Sequence, residues 1–98
     1  MEGNAHQVLV IDDSPVDRLM LSSILQKEGY RCLTAANGLE GIQQAREHQP
    51  DIVLLDVLMP GENGFETCAR LKMNPATSLI PVIFLSGEND KKSRVTGL

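Results

Sequence analysis

The sequence predicts an α/β domain built on a parallel sheet with helices packed against it. Three observations carry that reading. The runs Val-Leu-Val-Ile at 8–11, Ile-Val-Leu-Leu at 52–55 and Val-Ile-Phe-Leu at 82–85 are short and apolar, with no polar alternation. This is the pattern of strands covered on both faces, as parallel strands are. Apolar residues at helical spacing separate the runs, and strands alternate with helices about every ten to fifteen residues, as in right-handed βαβ units.

The elements follow in order. The run at 8–11 ends abruptly in Asp12-Asp13. Ser14 reads as a helix N-cap, Pro15 as the first helical residue and Asp17 as the capping-box partner. Val16, Leu19, Met20, Ile24 and Leu25 recur at helical spacing, and Gly29 closes a helix predicted over about 15–28. A weaker strand at 32–35 precedes Asn37-Gly38 and a helical pattern carried by Leu39, Ile42 and Ala45, which Pro50 stops. The strand at 52–55 again ends in an acid, Asp56, and Pro60-Gly61 and Asn63-Gly64 punctuate the loop after it. A short helix through Phe65, Cys68, Ala69 and Leu71 breaks near Asn74-Pro75. The fourth strand ends in Ser86-Gly87, and residues 90–98 open a further helix with Val95 and Leu98 as its apolar positions.

Bulk properties narrow the function classes. Ninety-eight residues suffice for one domain, 1–98, with a hydrophobic core and are too few for two; neither an internal repeat nor a linker interrupts them. A net charge of -4 gives no basic field for nucleic acid or anionic lipid. Cys32 and Cys68 form neither a CxxC pair nor a zinc-ligand pattern, so they read as reduced, buried or half-buried thiols. No signal-peptide core or stretch of ~20 apolar residues is present, and the expectation is a cytoplasmic protein with no membrane or nucleic-acid partner.

Ligands of open parallel sheets bind beyond the carboxyl ends of the strands. Three of the four apolar runs end there in polar groups: Asp12-Asp13, Asp56 and Ser86. Singly, the acids read as helix-dipole partners or turn formers, and Ser86-Gly87 as a turn. Together they place three carboxylates and a hydroxyl at one rim. Clustered carboxylates repel one another unless a cation neutralises them, and an all-oxygen set suits Mg²⁺.

Four segments in this order resemble the receiver domain of response regulators across essentially the whole chain. They are Val-Leu-Val-Ile-Asp-Asp-Ser at 8–14, Pro-Asp-Ile-Val-Leu-Leu-Asp-Val-Leu-Met-Pro-Gly at 50–61, Asn-Gly-Phe-Glu at 63–66 and Pro-Val-Ile-Phe-Leu-Ser-Gly at 81–87. The resemblance implies a flavodoxin-like (CheY-like), doubly wound, three-layer α/β/α fold with strand order 2-1-3-4-5. It implies that Asp56 accepts a phosphoryl group from the phosphohistidine of a sensor histidine kinase or phosphotransfer protein. Asp13, Asp56 and the Leu58 carbonyl match its Mg²⁺ ligands, and Asp12 the acid that reaches the ion through water. Ser86 matches the hydroxyl that hydrogen-bonds a phosphoryl oxygen, and Gly87 the small residue that leaves the phosphate accessible. Such a domain is not an enzyme on other substrates; it catalyses only its own phosphorylation and dephosphorylation.

Receivers continue through a fifth strand, which ends in a phosphate-pairing lysine, and a fifth helix; neither occurs before Leu98. The expectation is therefore about four βα units of a longer regulator, with its output domain or effector outside this chain. An uncovered fourth strand or helical face would also favour a homodimer. Two other functions compete with the receiver reading. One is a pseudo-receiver acting as a protein-binding module, disfavoured by the presence of all three acids. The other is an aspartyl-phosphate phosphotransferase, disfavoured by Leu58 where such enzymes place a second aspartate.

Overall fold

A computed structural model describes residues 6–59, 61 and 63–85. Strands and helices alternate along them: β1 (Gln7–Ile11), α1 (Pro15–Lys27), β2 (Arg31–Ala35), α2 (Gly38–His48), β3 (Ile52–Asp56), α3 (Gly64–Met73) and β4 (Val82–Leu85). All strand pairs are parallel and the order is β2-β1-β3-β4, as in the flavodoxin-like fold. The expectations for Ser86, Gly87 and the helix opening at residue 90 lie outside the described residues.

Strand side chains alternate between two apolar layers. Leu9, Ile11, Val53 and Leu55 pack with Ala45 of α2 and Leu71 of α3. On the other face Val8, Val10, Leu54 and Leu85 pack with Leu21 and Leu25 of α1. The central strands are buried on both faces, which is why their sequences carry no polar alternation.

All three helices among the described residues start on a side-chain cap. Ser14 Oγ accepts from the Asp17 N–H (3.2 Å), Asn37 Oδ1 from the Glu40 N–H (2.8 Å) and Asn63 Oδ1 from the Phe65 N–H (2.9 Å). Gly29, with φ of +93°, ends α1 in a conformation that favours glycine. Gln49 closes α2 in the left-handed region, consistent with Pro50 keeping its predecessor out of the right-handed helical one. Between α3 and β4, Thr77 is buried and its Oγ1 donates to the Leu71 carbonyl (2.6 Å). Lys72 Nζ donates to the Ile80 carbonyl at 2.6 Å. Cys32 and Cys68 are free and half-buried; burial pushes the Cys32 thiol up, against the opposing pull of a hydrogen bond with Ser22. No helix among the described residues is long and apolar enough to cross a membrane.

The helical faces differ from the spacing analysis. Val16 and Leu19, which carry the helical spacing of α1, are 74% and 70% exposed, and the fully buried residues are Leu21 and Leu25. With about 100° between successive residues, Leu21 and Leu25 lie about 40° apart while Val16 and Leu19 fall on the far side. Leu39 is likewise exposed on α2. Phe65 of α3 lies largely in solvent, with one side against Phe84 of β4 (ring centroids 4.9 Å apart, planes at 51°).

These faces set a stability test. Leu21→Ala should destabilise the domain by about 2–5 kcal/mol, while Val16→Ala and Leu19→Ala should each stay within about 0.5 kcal/mol. Urea unfolding followed by circular dichroism measures all three, and comparable losses at 16 or 19 would contradict the packing described.

Candidate functional site

The site is assembled by strand register. β1 and β3 pair with Val8 beside Ile52 and Ile11 beside Leu55, so the next step sets Asp12 level with Asp56. Period-two alternation puts both acids on the sheet face that carries Val8, Val10 and Leu54, the face covered by α1. Asp12 extends the β1–β2 ladder by donating its N–H to the Ala35 carbonyl (3.0 Å). Asp56 is the last residue of β3, opposite Leu85, and the Val57 N–H beyond it donates to the Leu85 carbonyl at 3.2 Å.

Both buried acids are held by the same local device. Asp12 Oδ1 accepts from the Ser14 N–H at 3.0 Å, and Asp56 Oδ1 accepts from the Leu58 N–H at 2.9 Å. Each is a carboxylate bonded to the backbone two residues on, which fixes its plane against the strand end. The Ser14 N–H therefore links the α1 cap to the acid cluster. From the second turn of α1, Arg18 Nη1 donates to the Asp12 carbonyl at 2.8 Å and ties the helix back to the strand end.

One oxygen from each of Asp12, Asp13 and Asp56 lies within 4.8 Å of the others. Asp12 and Asp56 are 0% and 2% exposed, whereas Asp13 faces solvent. The set fits a small hard cation. Mg²⁺–oxygen bonds of about 2.0–2.1 Å put opposite ligands about 4.2 Å apart, so direct ligands plus one acid acting through water match this spread. Asp12 and Asp56 form the buried side of the cluster, where charges are screened less than in water, and Asp13 its solvent side.

Of the residues singled out in the sequence, Asp12, Asp13 and Asp56 converge as expected. Leu58 stands beside them through its N–H, its side chain exposed. The expectations for Ser86 and Gly87 fall outside the described residues. Two neighbours were not anticipated. Arg18 sits inside a helical pattern and gives no distinguishing signal. Gly64 read as loop punctuation, but it is the first residue of α3 and packs against the Asp56–Val57 backbone.

Comparison with known proteins agrees with this geometry. The family model described as the response regulator receiver domain matches residues 8–98. PilH of Pseudomonas aeruginosa is 40% identical over 91 residues, 93% of this chain and 75% of PilH. The transcriptional regulatory protein AfsQ1 of Streptomyces coelicolor is also 40% identical over 91 residues (93% of this chain), but these make up only 39% of its length. Among solved structures, the N-terminal domain of a response regulator receiver protein from Methanoculleus marisnigri superposes with a TM-score of 0.81 at 36% identity, covering 90% of this chain and 75% of that one. The receiver domain of the sensor histidine kinase PA1611 from Pseudomonas aeruginosa, solved with a magnesium ion coordinated in its active-site cleft, shares the fold at 22% identity, with a TM-score of 0.79 and coverage of 92% and 74%. Fold, sequence pattern and acid cluster thus converge, and this chain belongs to the response regulator receiver domain family.

Proposed function

We propose that this chain is the phosphoryl-accepting module of a phosphorelay, with Asp56 as the acceptor. The observation that carries the reading is the buried Asp56 carboxylate at the end of β3, with an oxygen within 4.8 Å of Asp12 and Asp13 oxygens. One Asp56 oxygen forms the new O–P bond as the P–N bond to the donor imidazole breaks, and the nitrogen leaves with the electron pair. The donor is a phosphohistidine of a sensor kinase or phosphotransfer protein. The Leu58 N–H holds Oδ1 and so orients the attacking group.

Asp13, Asp56 and the Leu58 carbonyl would hold Mg²⁺ directly, and Asp12 through water. Mg²⁺ supplies charge neutralisation between the acids and the incoming phosphoryl oxygens, which a weak carboxylate nucleophile requires. Family membership and the magnesium in the PA1611 receiver support this choice of ion. Ser86 would hydrogen-bond a phosphoryl oxygen, with Gly87 leaving room for it. The position two residues past the acceptor is Leu58, where a phosphotransferase acting on small substrates would need an acid. The chain therefore catalyses only its own phosphorylation and dephosphorylation, in the cytoplasm, and signals to an output domain or effector.

Three outcomes test the reading. A Mg²⁺ titration followed by NMR should shift the amides of residues 12, 13 and 56–58 first; shifts confined elsewhere would remove the ion from this site. Acetyl phosphate should add one phosphoryl group at Asp56, found by mass spectrometry, and Asp56→Asn should stay unlabelled. Label on another residue, or equal label on the variant, would disprove the acceptor. In EDTA, Asp56→Asn should raise stability by about 1–3 kcal/mol, the repulsion of unit charges near 4.8 Å at effective dielectrics between those of water and a protein surface. Saturating Mg²⁺ should shrink that gap, and a destabilised variant in EDTA would mean that the three charges do not strain one another.

A further inference from the structure

Gly64 opens α3 and is buried. A Cβ built on it would lie 2.7 Å from the Val57 Cα, 2.9 Å from the Asp56 carbonyl oxygen and 3.1 Å from Val57 Cγ1. The two closest atoms are backbone, so neither can swing aside as the end of a flexible side chain does. Dihedral freedom does not explain the glycine, because the glycines with positive φ among the described residues are Gly29 and Gly61. The first position of a helix also accepts residues that carry a side chain. What demands glycine here is close approach.

The helix is anchored at several points. Phe65 rests on Phe84, Asn63 holds the Phe65 N–H, and Thr67 and Leu71 are buried against the sheet side of α3. The strand exit carries the Asp56 carboxylate itself: Asp56 pairs with Leu85, its Oδ1 accepts from the Leu58 N–H, and the Val57 N–H donates to the Leu85 carbonyl at 3.2 Å. Pressure from a Cβ at 64 would fall directly on the backbone of residues 56 and 57.

We infer that Gly64 is a positioning residue for Asp56. By lacking a Cβ it sets how closely α3 backs the end of β3, and so fixes where the Asp56 carboxylate stands relative to Asp12 and Asp13. The inference deepens the acceptor reading and rests on it for its functional meaning.

The test uses Gly64→Ala in the 98-residue chain, with Leu71→Ala as a packing control. Two metal-free NMR signals report the geometry: the Leu58 amide proton, which is bonded to Asp56 Oδ1, and the Asp56 carboxyl carbon. Gly64→Ala should fold, shift both signals, and lower Mg²⁺ affinity and the acetyl phosphate labelling rate by at least about tenfold, whereas Leu71→Ala, though less stable, should change each by no more than about twofold. Adding Val57→Ala to Gly64→Ala should not restore function, since the Val57 Cα and the Asp56 carbonyl remain in the way. Rescue by Val57→Ala, unmoved metal-free signals, an unfolded Gly64→Ala chain, or equal losses in Leu71→Ala would each overturn the inference. A wild-type chain that neither binds Mg²⁺ nor takes label would instead remove the acceptor reading. Shifted metal-free signals in Gly64→Ala would then still assign the placement of Asp56 to Gly64.

Discussion

β1 and β3 lie side by side in the middle of the sheet, Ile11 beside Leu55, and the same offset carried one residue further sets Asp12 beside Asp56. Neighbouring strands are about 4.7–4.9 Å apart, so this register forces two carboxylates together at the edge of the core. Their repulsion amounts to about 1–3 kcal/mol. Against it stand Leu9, Val10, Ile11, Val53, Leu54 and Leu55, all buried, each contributing about 1.5–3 kcal/mol when removed from water. Packing wins by a wide margin and the acids are held where charge alone would not put them. A one-residue slip would send Asp56 to the α2–α3 face and dissolve the cluster, but it would also turn every apolar side chain of β3 to the wrong layer.

The helices divide the remaining work. α1 begins at the acids: its cap residue hands an N–H to Asp12, and Arg18 in its second turn grips the Asp12 carbonyl. α3 approaches from the other side of the sheet and meets the strand end through a glycine. One carboxylate is thus steadied by polar contacts and the other by a turn bond and a close backbone contact. Sites that concentrate like charge commonly give up stability for function, and here that compromise is confined to a few residues at the strand ends.

The strands and the acid cluster were legible in the sequence because apolar runs ending in Asp12-Asp13 and Asp56 leave little ambiguity of element or direction. The phase of the helices was not. α1 carries apolar residues at 16, 19, 20, 21, 24 and 25, enough to draw more than one stripe, and only burial against Val8, Val10 and Leu54 selects the one through Leu21 and Leu25. Leu39 and Phe65, which carried the helical patterns of α2 and α3, are likewise exposed. Gly64 was visible as a residue type, but its close contact with the Asp56–Val57 backbone depends on the path of the loop between them, which residue spacing does not show. The order of the strands came from family resemblance, since periodicity is silent on which strand sits at the centre.

The earliest of the described strands, β1, is one of the two at that centre. β1 meets β2 after a separation of 24 residues, from Gln7 to Arg31, but meets β3 only across 44, from Val8 to Ile52. A chain leaving the ribosome N-terminus first can close the β1–α1–β2 unit while the other edge of β1 is still open. Asp12 and Asp13 are then already present at the rim, without the acid that completes the cluster. The cluster is consequently incomplete until the chain has been made through Asp56. The three acids come together only when β3 docks, so the cluster and the middle of the sheet are completed in one step.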